Sequence, residues 1–253
     1  HPYTSNGYTS VTIVLDDIPW CLTRDPVVGS FGQTAPADNP EEWYETVREL
    51  CMALKDILGA EDAGKLRFRI GTEMNGRERF AGTEYQFMTH FDYASAAITE
   101  VLPGCELGLF NISSASMDNI NNNHNVGAFR ILEHASTGIN RRTGKPNIVK
   151  RPFVSCSRYY YAGDDLDRIV SGIDEVWDHI QENIPGYEEM TREIHEFGAL
   201  ADWSARPKTH NPDAFGNAMN LQVVINLKEN GLDKLFHWNM LEEVRHGETV
   251  MQV

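Results

Sequence analysis

Two glutamates stand at the ends of short apolar runs, where a carboxylate can do bond-breaking chemistry. Leu66 to Asn75, LRFRIGTEMN, reads as a strand that delivers Glu73, and Thr191 to Leu200, TREIHEFGAL, repeats the form around Glu196, just before a glycine. A strand end is a rigid mount. Two carboxylates mounted in this way can divide the hydrolysis of a glycosidic bond between them. One gives a proton to the leaving oxygen, and the other, about 5 to 5.5 Å away, attacks the anomeric carbon from the opposite side. Spacing alone leaves a plainer alternative open, that of two solvated glutamates at strand ends.

The elements that must carry the pair alternate along the chain. Val11 to Leu15, VTIVL, is a β-branched strand that Pro19 ends. After a Gly/Pro-rich loop, Asn39 caps a helix opened by Pro40 and favoured by Glu41 and Glu42 at its positive end. Trp43, Val47, Leu50, Leu54, Ile57 and Leu58 recur at helical spacing and mark its buried face. In the strand before Glu73, Arg67 and Arg69 alternate with apolar residues and must find partners or solvent. A helix from about Glu84 to Val101, a strand at Glu106 to Ile112 and a polar stretch from Ser113 to Lys150 come next. That stretch, with its DNINNNHN run, reads as an insertion or lid-like loop holding a short helix near Val126 to His134. Pro152 to Tyr161 is a strand leading to an Asp164-capped helix, and a helix from about Pro212 to Asn230 precedes a last strand at Lys234 to Leu241. Alternation of this kind is the rhythm of parallel βαβ units. The fold class is α/β, of the (β/α)8 TIM-barrel type, whose active sites lie at the carboxyl ends of the strands. Six strands are legible where a whole barrel has eight.

Composition narrows the partners. With 253 residues the chain can bury a sizeable core, and no linker divides it, so one domain over 1–253 is expected. Its 22 basic and 37 acidic residues give a net charge of −15, which argues against nucleic acid and anionic membrane surfaces. No apolar stretch reaches the ~20 residues of a membrane span, and the first ten residues lack the pattern of a secretion signal. Cys21, Cys51, Cys105 and Cys156 show no CxxC spacing and are expected as free thiols, with one disulfide left open. His195-Glu196 lacks the second histidine of a zinc protease motif, and strand alternation points the two side chains apart. No dinucleotide or phosphate fingerprint is present, so neither cofactor nor metal is expected.

Taken in order, IVLDDIPWCL, FRIGTEMN, SRYYYAG, EIHEFGA and HWNM resemble the corresponding strand ends of clan A of the glycoside hydrolases, and within it family 39, the β-xylosidase and α-L-iduronidase group. The resemblance implies that Glu73 is the acid/base at strand four and Glu196 the nucleophile at strand seven. Tyr160 or Tyr159 would steady the nucleophile, and Trp238 would lie beneath the sugar, whose C–H faces pack on an indole. Thr72, Asn75, Asp17 and Trp20 complete the implied substrate contacts. Where the clan has asparagine before the acid/base residue and proline after it, this chain has Thr72 and Met74. The first strand of the resemblance is the third of the barrel, so strands three to eight are covered and a fragment incomplete at its N-terminus is expected. The implied activity is retaining hydrolysis of an oligo- or polysaccharide, an activity that favours a secreted or periplasmic location. A carbohydrate-binding pseudoenzyme barrel and a structural barrel piece of a larger assembly are the alternatives.

Overall fold

The computed structural model describes residues 10–16, 18–75, 79–113, 116–121, 126–148, 150, 152–161, 164–200 and 214–236. Its main sheet has six parallel strands: β1 (Thr12–Leu15), β4 (Arg67–Thr72), β5 (Glu106–Ser113), β6 (Phe153–Tyr161), β7 (Thr191–Leu200) and β8 (Lys234–Leu235), hydrogen-bonded in that order. Among the described residues β1 and β8 are its two edges. The sheet curls into a half-barrel with its helices outside. Two short antiparallel strands, β2 (Val28–Gly29) and β3 (Gly32–Gln33), form a hairpin in the loop that the sequence marked only by its glycines and prolines.

Alternation decides which side chains meet the helices. On β4, Phe68 and Ile70 turn outward and are fully buried, each burial contributing roughly 1.5 to 3 kcal/mol, while Arg67 and Arg69 turn into the curl. Val14, opposite Arg69 on the edge strand, remains 39% exposed.

Helix α1 (Pro40–Leu58) starts as its sequence requires, with Asn39 accepting a hydrogen bond from the Glu41 backbone N–H at 3.1 Å. Trp43, Tyr44, Val47 and Cys51 are buried, but Leu50 and Ile57, expected on the same face, are exposed, Ile57 at 69%. At 100° per residue these two fall on the margin of the stripe. After α2 (Ala60–Ala63), the capping box of Thr83 and Gln86 opens α3 (Glu84–Val101), whose Phe87, Phe91, Ala94 and Ile98 are buried.

Two expectations need correction. Much of the polar stretch after β5 is fixed rather than lid-like. It holds α4 (Met117–Asn121) and α5 (Ala128–Thr137), and buried Asp92 of α3 gathers His134 at 2.9 Å, Arg141 at 3.0 Å and Asn147 at 3.0 Å. A buried carboxylate needs such partners, and meeting that need pins the stretch. The cap of α6 (Leu166–Asn183) is Asp165, not Asp164, because its side chain accepts from the Arg168 backbone N–H three residues on, at 3.2 Å. The last described helix is α7 (Ala214–Glu229). Cys21, Cys51, Cys105 and Cys156 are all free thiols, so the disulfide left open does not form. No helix among the described residues is long and apolar enough to cross a membrane.

Candidate active site

Glu73 follows β4 directly and is the non-glycine residue with positive φ among the described residues, at 49°. A side chain in the left-handed region stores strain, and such strain gathers at functional sites. The turn begins at Gly71, where φ is +88° and an added Cβ would lie 2.6 Å from the Met74 side chain. Buried Met74 thus fills the space under the turn, while the Glu73 backbone N–H donates to the Asn111 carbonyl at 3.1 Å. Asn75 braces the neighbouring loop, its Oδ1 accepting from the Ser113 backbone N–H at 3.0 Å.

Glu196 arrives by a different device. In the pairing of β6 with β7, Cys156 faces Ile194 and Ser157 faces Glu196, so His195 is the extra residue of a β-bulge. Strand alternation was expected to point His195 and Glu196 apart. The bulge turns both inward, as bulges do when they re-aim a side chain beside a site. Glu196 is 6% exposed. Its Oε1 accepts from Asn111 Nδ2 at 3.2 Å and its Oε2 from the Tyr159 hydroxyl at 3.2 Å. Asn111 Nδ2 also donates to the Ser157 hydroxyl. Burial raises the Glu196 carboxyl above its ordinary value and the negative charge of Glu73 adds to the effect, while Arg69 and the bonds from Tyr159 and Asn111 oppose them. The Arg69 guanidinium lies in the field of Glu196, Asp16 and Glu73 together. Glu73, directly after β4, and Glu196, within β7, therefore share one electrostatic neighbourhood.

The other expected contacts divide. Tyr159, not Tyr160, reaches Glu196. Tyr160 has the opposite strand parity, is fully buried, and donates its hydroxyl to Asn220 Oδ1 of α7. Thr72 is buried, and its hydroxyl accepts from Arg69 Nη2 at 2.7 Å. Trp20 opens a short 3-10 turn (Trp20–Leu22) and is 54% exposed. Asp17 and Trp238 lie outside the described residues. Sequence reasoning missed Asn111, Ser157 and Arg69 as site residues. The available signal was a polar side chain inside an otherwise apolar strand, as in ELGLFNI around Asn111.

Below the carboxylates the curl is filled by charge. Arg67 donates to Glu193 through Nη1 at 3.0 Å and Nη2 at 2.5 Å, and through Nε to Glu106 at 2.6 Å. Burial alone would raise the Glu193 carboxyl, but the bonds from His195 and Arg67 outweigh it and hold the group at about 2. Burial lowers His195 to about 4 and His90 to about 3. All three have the same sign. The histidines are neutral when folded and take up protons on unfolding, so stability falls as the pH drops below about 6.5, and Glu193 adds its loss below about 4.5. Glu196 and Asp174, the latter raised by burial to about 6, partly offset this. Thermal unfolding followed by circular dichroism should show a midpoint falling steadily from pH 7 to pH 4. A midpoint level across that window would contradict the buried, neutral state of the histidines.

No protein-family model matches the sequence. An α-1,4-L-rhamnosidase of Formosa agariphila is 26% identical in an alignment 113 residues long that covers 41% of this chain and 23% of that protein. Among solved structures, a family 39 β-xylosidase of Caulobacter crescentus superposes with a TM-score of 0.62 at 15% identity over 91% of this chain and 44% of its own. A bacterial orthologue of human α-L-iduronidase gives 0.63 at 14% identity over 94% of this chain and 38% of its own. The chain thus spans less than half the length of each of these proteins. The half-barrel described above superposes on part of the fold of these family 39 glycoside hydrolases, the group that the strand-end motifs resemble.

Proposed function

We propose that the chain forms strands three to eight of the single (β/α)8 catalytic domain of a retaining glycoside hydrolase, acting on β-linked or equatorial glycosides of an oligo- or polysaccharide. The observation that carries this reading is that Glu73, directly after β4, and Glu196, within β7, act electrostatically on one another and on one guanidinium, that of Arg69. Glu73 gives its proton to the leaving oxygen while Glu196 attacks the anomeric carbon and forms a glycosyl ester. Esterification removes the charge of Glu196. Glu73, now ionised, takes a proton from the water that attacks the ester, and Glu196 leaves as carboxylate. When Glu73 carries the proton its repulsion of Glu196 is gone, so the acid form of one favours the nucleophilic form of the other. Tyr159 and Asn111 hold the two oxygens of Glu196, and Thr72, Asn75, Trp20, Asp17 and Trp238 are assigned to the substrate side.

A panel of 2-deoxy-2-fluoroglycosyl fluorides tests the scheme, because the fluorine slows release of the glycosyl ester more than its formation. Peptide mass spectrometry should find the sugar on Glu196. A label on another carboxylate would refute the assignment. Sugar binding with no label and no hydrolysis would support the carbohydrate-binding barrel instead, a second reading favoured by the engagement of the Thr72 hydroxyl with Arg69.

A further inference from the structure

The hydrolysis scheme leaves a buried set of polar contacts unused. Glu193 and His195 of β7 and Arg69 of β4 meet inside the curl, His195 being the residue before Glu196. Fully buried Glu193 is held by both terminal nitrogens of Arg67 and by the Thr191 hydroxyl at 2.7 Å. His195 Nε2 lies 2.8 Å from Glu193 Oε2, and its Nδ1 lies 2.9 Å from Arg69 Nη1. A guanidinium only donates, so Nδ1 must accept, and the proton of the neutral ring is on Nε2, where it donates to Glu193. Glu193 therefore selects the tautomer, and the tautomer supplies the acceptor that aims Arg69. The second arm of that guanidinium is held by Thr72 at 2.7 Å.

We propose that Glu193, His195 and Arg69 form a positioning relay in which neutral His195 aims the Arg69 guanidinium so that its charge acts on Glu196 and favours the ionised carboxylate. The bulge that turns Glu196 inward also turns His195 inward, so one backbone irregularity places the carboxylate and the residue that aims its counter-charge. The charges in play are few. Glu196 is met by Glu73 from the end of β4, by Arg69 of β4, and by the hydroxyl of Tyr159 and the amide of Asn111. Arg69 is met in addition by Asp16 after β1 and by Arg79. His195 is met by Glu193, Arg69 and Arg67, and by the rings of Phe153 and Phe236. Of these groups Arg69 is the cation acting on Glu196. Protonating His195 would set a second N–H against Nη1 and push the guanidinium away, so the relay works only while the ring is neutral. Burial keeps it so down to a pH of about 4.

Calling Glu196 a nucleophile rests on the proposed hydrolase reading, but its ionisation can be followed without turnover. With glutamate labelled at the carboxyl carbon with 13C, and the Glu196 signal assigned by its loss in Glu196→Gln, the carboxyl is titrated by NMR. Arg69→Met should raise the Glu196 midpoint by about one pH unit or more, the usual size for loss of an opposite charge at close range. His195→Leu should raise it in the same direction. His195→Asn, whose amide oxygen can stand where Nδ1 stands, should leave it close to its native position. The acid limb of kcat/KM for an activated aryl β-xyloside should move with the NMR midpoint. An unmoved midpoint in folded Arg69→Met overturns the proposal, and so do equal midpoints in the leucine and asparagine variants of His195. That second contrast decides the matter should Arg69→Met fail to fold. Shifted NMR midpoints in a protein that turns over no glycoside would sink the hydrolase reading and leave the relay standing.

Discussion

Glu196→Gly is expected to lower turnover of an activated aryl glycoside by on the order of 10⁴-fold or more, the scale on which removal of a nucleophile is felt. The loss should be of a particular kind. Removing the side chain opens a space beside the anomeric carbon, bordered by the Asn111 amide and the Tyr159 hydroxyl that Glu196 used to bind. External azide can enter that space and attack from the same side as the carboxylate did. Its product is a glycosyl azide of inverted configuration, because one displacement has replaced two. Glu73→Ala should behave differently: substrates with acidic leaving groups need little protonation, so they should lose far less than substrates with alkyl leaving groups. Full activity in Glu196→Gly would end the assignment, and rescue with retained configuration would reverse the two roles.

Glu193→Ala should be the most destabilising of the single changes in the interior of the curl, by about 3 to 5 kcal/mol, because it leaves a buried cation without its main partner. Arg67 and Glu193 are nearly inaccessible to water, and only Glu106, itself partly exposed, would remain to balance the guanidinium. The cost lies in breaking the pair rather than in lacking it. Replacing both partners together, as in Arg67→Met with Glu193→Leu, should recover most of the loss, since apolar side chains of similar volume carry no desolvation penalty. Denaturant unfolding of the two single variants and the double variant measures the coupling directly. Independent, additive losses would mean that the two side chains do not act as a buried pair.

The outline of the fold was legible because both periodicities are strong. Phe68 and Ile70 against Arg67 and Arg69, and the apolar stripe of α6 through Ile169, Ile173, Val176 and Ile180, signal strand and helix without help from distant residues. Capping was legible for the same reason: Asn39 before Pro40 is a local instruction. Errors appear where a choice depends on a neighbour. Leu50 and Ile57 have the right spacing but lie at the margin of the stripe, so only the packing of α1 decides that they face solvent. Asp164 and Asp165 are equally good caps by type, and the turn geometry selects the second. Tyr159 and Tyr160 could not be separated from sequence, because parity along β6 is known only once one residue of the strand has been assigned a face.

By itself the sequence determined an α/β chain of parallel βα units that carry two glutamates on or directly after strands, since strand length, alternation and helix capping are local properties. Only the tertiary structure decided what surrounds those glutamates. The bulge at His195 is a mismatch between two strands, and neither strand records it alone. Its consequence is that His195 and Glu196 share a face, which simple alternation forbids. The positive φ of Glu73 likewise arises from the close fit of Gly71 over Met74 and the bond from the Glu73 backbone to Asn111. The arginines of β4 were visible from the start as charges in need of partners. That those partners are Glu193 and His195, three strands away, follows from the curl of the sheet, which brings β4 and β7 face to face across an interior too small to admit water to all four.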